Sequence, residues 1–280
     1  MRFLYAAIVA FLFTAAACAE LPFKKKPGPF TTHSPSLVAH TLDEGTAEQR
    51  NDLALELGIF APNSSKPGTN SNSPCVNFSH MDSRPVALQA GAETEMFVAD
   101  SRECDSTYIV VFEKVPKSEW RHIQTVRLPA RAQRPEISFA ELIQPGVSEI
   151  LVHKETTRDT GGTQQQDFVV LKLLGDRLEV VMEATEHSEI TLANRTPEEA
   201  DNLTQTQTST FDLLKSPPNS AATYGLLEKE VITDNKTTIT RYRLWTWDRE
   251  LARFRPAPFD GGNARPAPPA KKKPADAKPK

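Results

Sequence analysis

Between Val86 and Trp247 the apolar side chains come in short runs of strand length, rich in Val, Ile, Phe and Tyr. Such runs predict β-strands, because β-branched and aromatic side chains fit a pleated, half-buried surface. The segments start at Val86, Glu93, Thr107, His122, Glu149, Gln166, Arg177, Ser209, Tyr224 and Thr237. Turn residues separate the later ones: Asp159 to Gly162, Gly175-Asp176 and Asp234-Asn235. These connections are too short for a crossover helix, so they predict antiparallel hairpins, with a three-stranded meander from Glu149 to Glu183.

Helical periodicity is sparse. Leu53, Ala54 and Leu57, with Thr46 as cap and Gly58 as stop, predict one short helix. FAELIQ after Ser138 suggests about one helical turn. TPEEADNLTQ has an early Pro197 and the acidic Glu198 and Glu199, suited to a helix start. The expected class is all-β, a mainly antiparallel sandwich, barrel or partial propeller-like sheet, with short helices and disordered ends.

The ends change the meaning of the length. A chain of 280 residues carries a prior of about two domains. The first 19 residues, however, have Arg2, an apolar run from Phe3 to Phe13 and small residues at Ala15 to Ala19, the pattern of an export signal. Ala17-Cys18-Ala19 fits a cleavage site that would leave Glu20 first, while Ala15-Ala16-Ala17-Cys18 resembles a lipoprotein signal in which Cys18 is acylated. Residues 20–74 read as a weakly structured N-terminal segment holding the one short helix, and residues 75–255 as a single β-rich domain. Residues 256–280 contain seven prolines and six Lys or Arg against two Asp. Such a stretch cannot bury enough apolar surface to fold, so a disordered Pro/Lys-rich tail is expected there.

Export makes the cysteines legible. Cys75 and Cys104 lie outside the signal, in flanks rich in turn residues, and an oxidising compartment would let them form a disulfide. The six histidines are scattered without helical pairs, and no C-x-x-C occurs, so neither a metal nor a cofactor is expected.

Charge narrows the partners. With 33 Lys and Arg against 36 Asp and Glu, the formal net charge is −3, which argues against a nucleic-acid binder. The basic tail could meet an anionic surface. No transmembrane span is expected once the signal is removed.

Nucleophile elbow, P-loop, H-E-x-x-H and dinucleotide motifs do not occur in the sequence. Glu93 with Glu95, and Glu179 with Glu183, read as solvated strand faces. The distinctive local chemistry is TRYRLWTWDRELARF, where alternation sets Arg241, Arg243, Trp245 and Trp247 on one face. An Arg and Trp face can stack on sugars or pair with carboxylates, which makes these four the candidate ligand-binding residues. The alternative reading of the same residues is a core strand that closes the sheet.

Pro145-Gly146, Glu149-Ile150 and Trp247-Asp248 resemble strand modules of bacterial exported proteins built like incomplete propeller blades. The D-x-D-x-D-G loops of integrin-type blades are missing, so that resemblance does not imply calcium. Together these features lead to the expectation of an exported, periplasmic or extracellular, non-enzymatic β domain that binds an envelope polymer or a protein partner. A structural or assembly role in the envelope, and a secreted hydrolase with a non-local site, remain as alternatives.

Overall fold

The computed structural model describes residues 30–31, 34–61, 73–116, 119–129, 134–155, 164–192, 203–234 and 237–259. The segment expected to be an export signal with Cys18, the turn at 159–162, the expected helix start at 196–202 and residues 260–280 lie outside them, while residues 256–258, expected in the disordered tail, belong to the last strand. Among the described residues, thirteen strands and two helices make a mostly β molecule.

The small sheet has the order β1-β5-β4-β3-β2, with every pairing antiparallel. Its strands are β1 (Phe30–Thr31), β2 (His80–Pro85), β3 (Thr94–Ser101), β4 (Ser106–Val115) and β5 (Glu119–Pro129). Both of its faces are covered. On β4, Tyr108, Val110 and Phe112 enter one cluster while Ile109 and Val111 enter another. Neighbouring β3 divides the same way, with Phe97 and Ala99 on the first side and Met96 and Val98 on the second. A strand buried on both faces reads as an unbroken apolar run, which is what TYIVVF is.

Helices cover the first face. α1 (Pro35–Glu44) starts at Ser34, whose hydroxyl accepts from Leu37 N, with Pro35 in the first turn. α2 (Ala47–Glu56) starts with a capping box between Thr46 and Gln49. Val38 and Leu42, one helical turn apart, join Leu53, Ala54 and Leu57 against Phe97 and Phe112. The segment expected to be weakly structured with one helix thus holds a helical pair docked on the sheet, because its few apolar residues fall on facing stripes. Behind it, Tyr108 Oη donates to Phe60 O at 2.6 Å. Cys75 and Cys104 sit beside this contact with Cα atoms 6.3 Å apart, a disulfide-capable pair.

The second face packs on the large sheet, an eight-stranded antiparallel meander from β6 to β13 with neighbours in chain order. It comprises β6 (Glu136–Gln144), β7 (Val147–Glu155), β8 (Gln164–Leu174), β9 (Arg177–Leu192), β10 (Leu203–Lys215), β11 (Tyr224–Thr233), β12 (Thr238–Asp248) and β13 (Arg253–Pro258). Ile150, Val152, Val169 and Leu171 meet Ile109 and Val111 across the interface. Polar bonds tie the layers too: Leu178 N donates to Gln124 Oε1 at 2.7 Å, and Arg121 pairs with Asp176 at 2.9 Å.

The predicted meander from Glu149 is β7, β8 and β9. FAELIQ is a strand, the edge β6, and not a helical turn. Its register breaks between Ala140 and Gln144, where the fully buried Glu149 accepts from Leu142 N (2.8 Å) and Ile143 N (3.3 Å) and pairs with Lys172 at 2.6 Å. That carboxylate satisfies the amides that the bulge withdraws from the ladder. The run starting at Val86 is an irregular connection after β2, and Ala87 O accepts from Ser148 N of β7. Eight consecutive strands in one sheet also replace the propeller-blade arrangement.

The meander curls over its remaining face. β11 reaches β6 and β13 reaches β9, enclosing Leu142, Phe168, Val170, Met182, Leu226, Trp245 and Phe254. At one end Thr223 N donates to Ile143 O at 3.1 Å, joining the β10–β11 connection to β6. On the outer edge, Pro256 stands opposite Trp245 and Pro258 opposite Arg243, and Phe259 N donates to Tyr242 O at 3.1 Å.

Candidate binding site

Strand alternation brings Leu226, Glu228 and Glu230 of β11, and Arg243, Trp245 and Trp247 of β12, to the inner side of the curl. Two of those carboxylates are almost completely buried, Glu228 at 1% exposure and Glu230 at 6%. Burial of a charge is costly unless it is paired and hydrogen-bonded, and here it is both. Arg243 Nη2 lies 3.0 Å from Glu228 Oε1 and 2.6 Å from Glu230 Oε1. Ser209 Oγ donates to Glu228 Oε1 (2.9 Å), Trp245 Nε1 to Glu228 Oε2 (2.8 Å) and Gln207 Nε2 to Glu230 Oε1 (2.9 Å). Three strands are locked by one network.

The four candidate residues therefore meet different fates. Trp245 is core, its indole N–H given to Glu228. Arg243 is half-buried and spends its guanidinium on two carboxylates. Arg241, opposite Glu230 in the register, is exposed nearer the β11–β12 turn. Trp247 is half-buried, packs edge-on against Phe254 with ring centres 5.4 Å apart, and lines a cavity.

That cavity, of about 540 Å³, lies at the end of the curl where Thr223 and Ile143 join. Its size is within the range of small-ligand sites, roughly 300–1,000 Å³. Three chain segments form it: the β6–β7 turn at Gln144 and Pro145, the β10–β11 connection from Lys215 to Thr223, and the β12 terminus at Trp247 and Arg249. A smaller recess of about 210 Å³ shares Lys215, Trp247 and much of that connection, and reaches Leu214 and Leu244. Gly225 lies in its wall, where a Cβ would come within 2.9 Å of Trp245 O, so the close approach of β11 to β12 needs glycine.

The wall chemistry is hydroxyl, amide, aromatic and cationic. Lys215 and Arg249 are exposed, and neither forms an ion pair with another described residue. Asp248, between Trp247 and Arg249, faces its own turn. Its carboxylate accepts from Leu251 N (3.1 Å) and Glu250 N (3.0 Å), with Arg255 3.5 Å away. Those backbone N–H groups, Leu251 first, hold its carboxyl below the usual carboxylate range. Arg249 forms no ion pair with Asp248, whose carboxylate is already occupied.

Among the described residues, no three His, Cys, Asp or Glu side chains converge as a metal site. No described helix is long and apolar enough to cross a membrane. Comparison with protein families, with curated proteins and with solved structures finds no match.

Neither Lys215 nor Arg249 is among the four candidate residues, although Arg249 lies within TRYRLWTWDRELARF. The one local signal was Arg249 two positions after Trp247; its convergence with Lys215 depends on the register of β10, β11 and β12.

Proposed function

We propose that this chain is an exported, non-enzymatic β module that holds a hydroxyl-rich envelope polymer in the cleft at the end of the curled sheet. The observation that carries the reading is Trp247 in the wall of a ligand-sized cavity whose other groups include Gln144, Ser216, Asn219, Ser220 and Thr223. An aromatic face stacks on a sugar ring, and hydroxyls and amides exchange hydrogen bonds with its substituents. These groups hold and orient a ligand, which favours retention over the hydrolase alternative.

Export rests on the residues before Glu20 and is supported by the disulfide-capable Cys75 and Cys104, which suit an oxidising compartment. Mass spectrometry of the exported chain distinguishes a Glu20 N-terminus from an acylated Cys18.

The binding test is co-sedimentation of the full chain with insoluble peptidoglycan and with neutral polysaccharide. Trp247→Ala should weaken retention about tenfold or more, the effect of removing one aromatic anchor. Trp247→Phe, which keeps a ring against Phe254, should retain more of it. Full retention by Trp247→Ala with an unchanged thermal unfolding profile removes the cleft from the mechanism.

A further inference from the structure

Resting on the cleft reading above, we infer that the site selects a sugar bearing an anionic group, carboxylate or phosphate, held by Lys215 and Arg249. The two cations come from separate elements, one at the end of β10 and the other just past β12, and both line the same cavity. They are the charged side chains among the described residues of its wall.

Several cations elsewhere among the described residues are paired. Lys114 pairs with Glu93, Arg134 with Asp100, Lys154 with Glu183 and Lys172 with Glu149. Arg243 holds two carboxylates at once. Lys215 and Arg249 have no such partner among the described residues, and Asp248, the carboxylate just before Arg249, is engaged by its own turn.

Two like charges facing one space repel each other, and an anion between them relieves the repulsion. Arg249 can offer a planar fork of N–H donors to either a carboxylate or a phosphate, and Lys215 adds a mobile point charge. Trp247 gives the ring of the same sugar a surface. The ligand class is therefore an acidic glycan, in a protein whose overall charge is itself negative. The cleft is open to solvent, so the charge contribution is moderate and falls with salt.

The test measures affinity of the full chain for three probes: an oligogalacturonate, its methyl ester, and a phosphorylated mannan. The acid should bind about tenfold tighter than the ester at low salt, the effect of two solvent-exposed charge pairs, and the difference should shrink as salt is added. The doubly substituted Lys215→Gln/Arg249→Gln chain should bind acid and ester alike. A preference for the phosphorylated probe over the carboxylated one supports the same site and names phosphate as its anion. Equal binding of acid and ester overturns charge selection and leaves the cleft reading standing. An acid preference that survives the double substitution overturns the site and moves the preference elsewhere, to the basic tail for example. Failure of every probe to bind defeats both readings.

Discussion

The strand pairs β3–β4 and β11–β12 are both interior neighbours of antiparallel sheets, yet they are held by opposite means. On β3–β4 the central side chains, Met96 to Ala99 and Tyr108 to Phe112, are apolar or aromatic on both faces, with helices against one face and the large sheet against the other. On β11–β12 the inner face carries Glu228, Glu230 and Arg243 beside Trp245. Apolar burial is non-directional and scales with area. A buried polar network is conditional, since each group is favourable only while its partners stay in place. The first pair should lose stability in proportion to volume removed, and the second according to how many partners are orphaned.

The largest effect is expected in the apolar pair. Phe112→Ala, which empties a fully buried position between β4 and the helical layer, should cost about 3–5 kcal/mol in urea unfolding. Phe112→Leu should cost less, as volume scaling requires.

Next comes the network. Glu228→Ala removes the acceptor of Ser209, Arg243 and Trp245 together, and should cost about 2–4 kcal/mol. Glu228→Gln keeps one acceptor oxygen and the shape of the side chain, so its loss should be smaller. If the Gln variant loses as much as the Ala variant, charge rather than partner count governs the site.

The smallest effect is a pH dependence that belongs to the small sheet. His122, on β5 and 5.8 Å from the Phe112 ring, is pushed below its usual 6.5 by burial. As pH falls below that ordinary value, the unfolded chain takes up a proton that the folded chain resists. Stability contributed by this group is therefore full above about 6.5 and declines in more acid solution. Urea midpoints recorded on both sides of that pH should differ less in His122→Gln than in the parent chain.

The same contrast explains what could be read from the sequence. β3 and β4 were legible because their pattern is local: TYIVVF needs no partner to look like a doubly buried strand. The hairpins beyond Glu149 were legible through Gly175-Asp176. α1 had its signals in Ser34, Pro35, Val38 and Leu42, but the Pro- and Ser-rich surroundings masked them. FAELIQ misled because Ala, Glu, Leu and Ile at those spacings suit a helix, and what makes it a strand is Glu149 on the neighbouring β7, which accepts from Leu142 and Ile143 amides.

The site was less legible for a related reason. Alternation placed Arg243, Trp245 and Trp247 on one face, which is where they are, but could not say that the face turns inward. Trp245 is claimed by Glu228, seventeen positions earlier. Lys215 and Arg249 share a cavity because β10 and β12 flank β11, with Lys215 opposite Tyr224, and Thr223 bonding Ile143, 80 positions away, adds the β6 side of the wall.

One feature of the outer edge bears on how the molecule meets its own copies. Phe259 donates inward to Tyr242, so along β13 the odd-numbered amides face β12 and the even-numbered ones face away. The outward positions after Phe254 are Pro256 and Pro258, which have no N–H to offer. A further strand approaching this edge would find its carbonyls facing proline rings instead of donors. The described part of β13 thus keeps Phe254 as its outward donor, which discourages sheet-to-sheet pairing at this edge.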